Sequence, residues 1–250
     1  MDIEITVTYD NNKYMQDCGT GWGFSCFIRG AGRSVLFDTG GDGTLLLKNM
    51  KRLRIDTKEI DIIFLSHNHE DHVGGLQDVL QKNNGSIVYL PQSFPADIKN
   101  SIGHFRTKIV EVLEHGKLCK NVFTTGELGT AVKEQSLIIR TAKGCIVITG
   151  CAHPGIVSIV KHAKDLIMDD VFMVIGGYHL GSTSISEIKH IISGLQGLGV
   201  RYIGPCHCTG DTARQLFRER YRENYITIGA GRIIETRHLT WMKRSRVSRS

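Results

Sequence analysis

Short runs rich in Val, Ile and Phe recur along the 250-residue chain and are separated by turns rich in Gly, Asp and Asn. Such runs are typical of β-strands, and longer stretches with apolar residues at helical spacing alternate with them. We predict strands over residues 3–9, 23–29, 34–38, 61–66, 86–90, 108–112, 121–124, 136–141, 145–149, 172–175 and 202–204. We predict helices over residues 44–53, 75–81, 155–166, 186–198 and 211–221. The alternation indicates an α/β protein whose helices cover a sheet.

The chain shows no internal repeat, and no linker-like stretch divides it. We therefore predict a single domain over residues 1–235, made of two similar β-rich halves with helices outside. A basic tail over residues 236–250, which the sequence allows to be flexible, follows this domain. Five basic residues lie in that tail, where they are Arg237, Lys243, Arg244, Arg246 and Arg249. Without them 26 basic residues face 25 acidic ones, so the net charge of +6 belongs mainly to the tail.

The charge distribution and the cysteine content indicate which kinds of partner and which cellular compartment to expect. A nearly neutral body is weak evidence for a nucleic-acid or membrane partner. Seven cysteines without regular spacing argue against a disulfide framework. Residues 1–10 have the pattern of a strand and not of a signal peptide, and the apolar runs are too short to span a bilayer. We therefore expect a cytoplasmic protein without membrane contact, and a homo-oligomer stays open.

A dense group of potential metal ligands lies in residues 64–75. A hydrophobic run leads into three histidines and one aspartate within six residues, which are His67, His69, Asp71 and His72. The first two histidines lie two residues apart, so on an extended chain they point to one side and can share one metal. The aspartate and the third histidine follow in a predicted turn, which can aim them at a second metal. Gly74 and Gly75 would let the backbone turn tightly beneath the site.

Three further histidines, His153, His179 and His207, each follow an apolar run and precede a predicted helix. The carboxyl ends of strands in an α/β protein are where connecting loops converge, so we expect these side chains to join the first group. Imidazole and carboxylate suit zinc, iron and manganese. The sequence thus predicts a site for two divalent metal ions, with zinc favoured and iron or manganese as alternatives.

The Ser-His-x-His-x-Asp-His-x-Gly-Gly pattern at residues 66–75 resembles the hallmark of the metallo-β-lactamase superfamily. The run Leu-Phe-Asp-Thr-Gly at residues 36–40, which contains Asp38, matches a second hallmark beside the site. The resemblance covers roughly residues 3–230. It implies a four-layer αβ/βα sandwich of two mixed β-sheets with helices on both outer faces. It also implies that His67 and His69 hold metal one, while Asp71, His72 and His207 hold metal two.

The sequence departs from this family at the remaining ligands. Cys151 stands where the family places a bridging aspartate, and no earlier histidine lies in a convincing motif. We therefore assign His153 as the missing ligand, with Cys151 as a further candidate. For His179 a ligand role stays open, but we favour a catalytic proton donor or substrate contact, and Asp71 would orient the attacking group. Cys206 and Cys208 flank His207 on what we take as a strand before the last helix, so we expect both in the core.

The segments Gly-Cys-Ala-His-Pro-Gly at residues 150–155 and His-Cys-Thr-Gly at residues 207–210 resemble one subgroup of the family. It includes the archaeal dihydropterin-methyl ribofuranosyl-aminobenzene phosphate synthase of methanopterin biosynthesis and several metal-dependent hydrolases. The resemblance implies a hydrolase or related transferase acting on a small phosphorylated or ester-like metabolite, with dihydropterin transfer as the named candidate. Two alternatives stay open, an RNA- or DNA-processing metallohydrolase and a di-iron oxidoreductase. The basic tail is what favours the first, whereas di-iron relatives usually carry an added flavin or rubredoxin-like domain.

Overall fold

The computed structural model describes residues 2–105 and 107–240. Its strands are β1 (Glu4–Asp10), β2 (Phe24–Arg29), β3 (Val35–Phe37), β4 (Ile62–Phe64), β5 (Ile87–Pro91), β6 (Lys108–Val112), β7 (Gly116–Cys119), β8 (Val122–Thr124), β9 (Leu137–Thr141), β10 (Gly144–Thr149), β11 (Val171–Gly177), β12 (Tyr202–Cys206) and β13 (Ile233–Glu235). Its α-helices are α1 (Gly43–Arg52), α2 (Glu70–Val73), α3 (Leu76–Lys82), α4 (Ala96–Gly103), α5 (Ile156–Ile167), α6 (Ile185–Gly197) and α7 (Asp211–Tyr221). Short 3-10 turns include His207–Thr209 and Thr236–His238.

The strands form two mixed sheets. The first has the order β13-β1-β2-β3-β4-β5-β6, in which β3 to β6 run parallel and the remaining neighbours are antiparallel. The second has the order β12-β11-β10-β9-β8-β7, in which β10 to β12 run parallel. The part of the chain from β1 to β6 supplies the first sheet except for β13, which returns from the C-terminal part to pair with β1, and the part from β7 to β12 supplies the second sheet. Each sheet has a parallel part, and the carboxyl ends of those parallel strands are followed by loops or a short helix.

Side-chain alternation explains why the two sheets stack. Phe64 of β4 and Ile148 of β10 both point into the apolar layer between the sheets. Their neighbours point the other way, so that Ile63 packs with α1 and α3 and Val147 packs with α5. Burying both faces of each sheet removes apolar area from water at about 25 cal/mol per Å². The predicted four-layer αβ/βα sandwich, with helices on both outer faces, is confirmed.

The helices begin at residues whose local chemistry favours helix starts. The Asp42 side chain accepts the N–H of Leu45 and caps α1, and the Ser184 side chain does the same for Glu187 in α6. Helix α7 starts after Gly210, whose φ of 79° suits a glycine. Within the described ranges, no helix reaches the length and apolarity needed to cross a membrane.

The sequence pattern did not predict three elements, which are β7, α4 and β13. Two further differences affect the site. The segment after His69, predicted as a turn, is the short helix α2, and β12 ends at Cys206, so His207 lies in a 3-10 turn and not on the strand. That turn changes where the residues after His207 point.

The segment predicted to begin the basic tail contacts the body. Thr236 is buried, and its hydroxyl accepts the N–H of Ile3 at 2.9 Å. Lys143 Nζ donates to the carbonyls of Thr236 and Leu239, both at 2.6 Å. Residues 236–240 therefore contact the start of β1 in the first sheet as well as the β9–β10 turn and β12 of the second. Residues 241–250, which carry the other four basic residues of the predicted tail, lie outside the described part of the chain.

Candidate metal centre

The carboxyl ends of parallel strands from both sheets meet at one edge of the sandwich. Sheet one contributes the loops after β3 and β4, and sheet two contributes the loops after β10, β11 and β12. These loops, together with the short helix α2 that follows β4, carry the predicted site residues, which are Asp38, His67, His69, Asp71, His72, Cys151, His153, His179 and His207. Residues that are far apart along the chain therefore form one cluster.

One group of donors consists of His67, His69 and His153, whose ring nitrogens lie within 4.8 Å of one another. The Nε2 of His67 is 3.1 Å from the Nδ1 of His69. The ring of His153 approaches both at centroid distances of 4.9 and 5.0 Å. Three imidazoles that converge in this way have the geometry and chemistry to hold one divalent ion.

A second group consists of Asp71, His72 and His207, again within 4.8 Å. Asp71 Oδ2 lies 3.1 Å from His207 Nε2 and 3.7 Å from His72 Nε2. The Sγ of Cys151 lies 3.2 Å from the same His72 nitrogen and also groups with His67. Cys151 therefore sits between the two groups, where a bridging ligand would be placed.

Asp38 and Ser66 hold two of the imidazoles in a defined tautomer. The Asp38 carboxylate accepts the backbone N–H of Ser66, the Ser66 hydroxyl and Nδ1–H of His72, each at 2.7 Å. Since its one proton goes to Asp38, the Ser66 hydroxyl accepts Nδ1–H of His67 at 2.9 Å. Both histidines therefore present a bare Nε2 to the cluster, which is the arrangement that metal-binding histidines usually have.

Asn11 orients the imidazole of His207, and Asp10 holds its backbone. Asn11 Oδ1 lies 3.1 Å from Nδ1 of His207, and its amide donates to the His207 carbonyl. The buried carboxylate of Asp10 accepts the His207 N–H. We did not predict Asn11 from the sequence, because it lies 196 residues before its partner and in no motif.

Two buried imidazole nitrogens in the centre make no hydrogen bond to the described residues. They are Nε2 of His153 and Nε2 of His207, the latter despite its closeness to Asp71. An unpaired buried polar atom costs about 1–3 kcal/mol, so such atoms usually have a function. A metal ion would give both nitrogens a partner, and the donor set therefore fits the metals that the sequence predicts.

Glu134 anchors the loop that carries Cys151 and His153. Its carboxylate is buried and accepts four consecutive backbone N–H groups, those of residues 150, 151 and 152 at 2.9–3.1 Å and that of His153 at 2.8 Å. Burial raises the pKa of Glu134, and the hydrogen bonds from this loop work in the opposite direction. The sequence contains no local signal for this role, since the carboxylate acts 16 to 19 residues away.

Several site loops hold non-glycine residues in the left-handed region of backbone space. The φ angles are 51° at Asp38, 56° at Ala152, 53° at His179 and 47° at His207. Such conformations are unfavourable for these residues and concentrate at functional sites. Here the hydrogen bonds to Asp10 and Glu134 hold two of these loops in place.

Gly74 and Gly75 serve a different purpose from the predicted tight turn. Their φ angles of −59° and −85° are open to any residue. A Cβ on Gly74 would lie 2.5 Å from the carbonyl oxygen of Gly41, and one on Gly75 would lie 2.4 Å from that of Thr39. These glycines therefore allow the chain after α2 to approach the loop after β3 closely.

The prediction that both cysteines flanking His207 lie in the core is right for Cys206 and wrong for Cys208. Cys206 is buried between the sheets as expected. Cys208 instead reaches the centre, where its Sγ lies 3.2 Å from Sγ of Cys151. The cause is the 3-10 turn at His207–Thr209, because a continued strand would have pointed Cys208 away.

His179 is exposed at the rim of the site, where its ring centroid lies 4.5 Å from that of His153. A hydrogen bond with Cys208 raises the pKa of His179.

Metal-free protein is expected to become less stable in acid because of His153. Burial and the nearby His179 and His69 lower the pKa of His153 from 6.5 to about 4. Between these values His153 is neutral in the folded chain and protonated in the unfolded one. Lower pH therefore favours unfolding, and this contribution is lost as pH falls from 6.5 towards 4.

The comparison of wild type with His153→Gln isolates this effect from the buried carboxyls Asp10 and Glu134, whose raised pKa values act in the opposite direction. Urea unfolding of chelator-treated protein should show the free energy of unfolding shifting in favour of H153Q as the pH is lowered. A difference between the two proteins that does not change with pH would contradict this prediction.

With this geometry established, sequence comparison places the chain in a known family. The sequence profile of the metallo-β-lactamase superfamily matches residues 19–152, more than half of the chain. The chain belongs to the metallo-β-lactamase superfamily. The matched segment contains both hallmark patterns and ends just after Cys151.

Individual relatives match almost the whole chain. One is the 7,8-dihydropterin-6-methyl-4-(β-D-ribofuranosyl)-aminobenzene-5′-phosphate synthase of Methanocaldococcus jannaschii, 31% identical over 270 residues, with 90% of this chain and 92% of that protein covered. An uncharacterised protein of the same organism is 28% identical, with coverage of 92% and 99%. Among solved structures, Tm1679, a metal-dependent hydrolase of the β-lactamase superfamily, superimposes with a TM-score of 0.80 at 29% identity, with 93% of this chain and 98% of that chain covered.

Proposed function

We propose that this chain is an enzyme with two divalent metal ions that transfers a dihydropterin-methyl group from its diphosphate to a ribofuranosyl-aminobenzene phosphate. The observation that carries the metal-dependent part is a pair of buried imidazole nitrogens, on His153 and His207, that form no hydrogen bond with the described residues and lie within the two donor groups. The substrate class rests on the 31% identity to the synthase, which extends over 90% of the chain.

The donor groups divide into two sets of ligands. In this assignment His67, His69 and His153 would hold one metal, and Asp71, His72 and His207 would hold the other. Cys151, which lies between the two groups, would be a further ligand. Imidazole with thiolate favours zinc, with iron as the closest alternative and manganese less well matched.

Two such ions, when bound, supply positive charge that polarises a phosphoryl oxygen and stabilises a leaving oxygen. The protein contributes position and protons. Asp38, Ser66 and Asn11 keep three imidazoles oriented, and Asp71 orients the attacking group from its half-buried position beside His207. His179 at the rim donates a proton to the departing diphosphate or holds it, consistent with its raised pKa.

An aromatic side chain beside the centre fits a pterin substrate. Trp22 is 62% exposed, and its ring lies 5.0 Å from that of His207. Large exposed aromatic rings next to a polar site offer a face on which a flat heterocycle can stack. This placement supports a substrate with a fused aromatic ring over a purely aliphatic ester.

A direct assay tests the proposal. Purified protein, stripped with chelator and reloaded with zinc, is incubated with dihydropterin-methyl diphosphate and ribofuranosyl-aminobenzene phosphate. We expect the coupled product by mass spectrometry together with released diphosphate, and neither product in the stripped sample. Metal-loaded protein that forms no coupled product would contradict the transfer reaction.

The same assay separates a second candidate, a metal-dependent hydrolase. That reading is favoured by the likeness to Tm1679, which covers 93% of this chain. Metal-dependent release of diphosphate without coupling, or hydrolysis of a simple phosphodiester, would support it. Cleavage of structured RNA would instead favour the nucleic-acid-processing alternative, and iron as the bound metal would favour the oxidoreductase.

A further inference from the structure

Cys208 has no role in the ligand assignment above, although its Sγ lies at the centre. It is 3.2 Å from Sγ of Cys151, which is itself 3.2 Å from Nε2 of His72. The donor atoms of Cys151, His207 and Cys208 all lie within 4.8 Å of one another. The donor atoms within each of the two ligand groups described above lie within the same distance of one another.

The backbone is shaped so that Cys208 reaches this position. His207 adopts a φ of 47°, which turns the chain out of the β12 direction. Gly177, at the end of β11, leaves the space that the thiol occupies, since a Cβ there would lie 2.6 Å from Cys208 Sγ and 2.4 Å from the Gly150 carbonyl oxygen. A residue with any side chain at position 177 would displace the thiol or the loop.

An independent feature points to a ligand at the same place. His207 is 98% buried, as its 2% exposure shows, and its Nε2 has no hydrogen-bond partner among the described residues. The turn at His207–Thr209 thus presents to one point an adjacent sulfur and a buried nitrogen that faces the Asp71 carboxylate at 3.1 Å without forming a hydrogen bond. A hydrogen bond between the two thiols would account for the position of Cys208, but it would not give Nε2 of His207 a hydrogen bond.

We propose that Cys208 is a thiolate ligand of the metal ion held by Asp71, His72 and His207. The centre then has two sulfur donors, Cys151 and Cys208, within its set of nitrogen and oxygen donors. This inference rests on the proposed function, because it requires that the centre bind metal. Thiolates favour zinc and iron(II) over manganese and magnesium, so the centre discriminates by donor softness. Zinc binding also releases the thiol protons, which makes zinc affinity fall with decreasing pH.

Cobalt(II) substitution tests the proposal, because thiolate ligands give cobalt an intense near-ultraviolet charge-transfer absorption. The probe is cobalt(II) added to chelator-stripped wild type, Cys208→Ser, Cys151→Ser and the control Cys119→Ser. Cys119 lies on β7, at the sheet edge opposite β12, and is only partly buried. We expect the absorption per bound cobalt to fall in C208S and in C151S and to stay unchanged in C119S. Zinc affinity in C208S should fall at least as far as the roughly 10–100-fold loss typical of an outer-shell change.

A second measurement uses only wild type, so its result does not depend on whether a variant folds. In wild type, zinc should protect Cys208 from alkylation by iodoacetamide, while Cys119 reacts equally with and without zinc. An unchanged cobalt absorption in a folded C208S that still binds two equivalents of metal would overturn the proposal and leave the proposed function standing. Wild type that binds no metal would instead remove the proposed function itself.

Discussion

Replacement of His69 by alanine is expected to reduce bound metal from about two equivalents to about one and to lower turnover by at least about 100-fold. His69 supplies one of three nitrogens in its group, and its Nδ1 lies 3.1 Å from Nε2 of His67. His69 is an exposed residue, so its removal leaves no buried cavity. The loss should therefore appear in metal content and turnover and not in the free energy of unfolding of the metal-free protein.

Elemental analysis of protein purified without chelator gives the metal content directly. His190→Ala is the matched control, since His190 is exposed on the outer helix α6, and it should retain the wild-type content. The predicted ligand set would be wrong if H69A retained as much metal as H190A. Wild type without metal, even after reconstitution, would leave the fold with an inactive site.

Short-range patterns predicted the features of this chain that depend on neighbouring residues. The bounds of β6 and α7 agree with the predicted ranges 108–112 and 211–221, because alternation and helical spacing are local properties. The histidines and Asp71 were predicted to gather because each follows a strand, and parallel strands end at a common edge. The structure brings them together at that edge.

Hydrogen-bond partners that lie far apart along the chain could not be predicted from any local sequence pattern. Asn11 contacts His207 across 196 positions, and Glu134 accepts hydrogen bonds from a loop beyond two strands. Cys208 was misplaced because the prediction extended β12 through His207, and a change from strand to 3-10 turn reverses the side on which the next residue lies. Turns of this kind depend on contacts such as that between His207 and Asp10, which only the folded chain reveals.

Replacement of Glu134 by alanine is expected to lower the free energy of unfolding by at least about 3 kcal/mol. Four buried N–H groups would lose their acceptor, and each unsatisfied group costs about 1–3 kcal/mol. Global stability is usually about 5–15 kcal/mol, so the variant could lose a large part of it. Urea unfolding of the chelator-treated protein measures the change, and Glu114→Ala, at an exposed glutamate, is the control.

The conservative variant Glu134→Gln separates anchoring of the loop from global stability. Its carbonyl oxygen can keep the three hydrogen bonds that Oε1 now accepts, but its NH₂ group would face the N–H of His153 in place of Oε2. We therefore expect E134Q to be more stable than E134A and yet to bind the ion of His67, His69 and His153 more weakly than wild type. If E134A proved as stable as E114A, the carboxylate would not be holding the loop, and the position of His153 would need another cause.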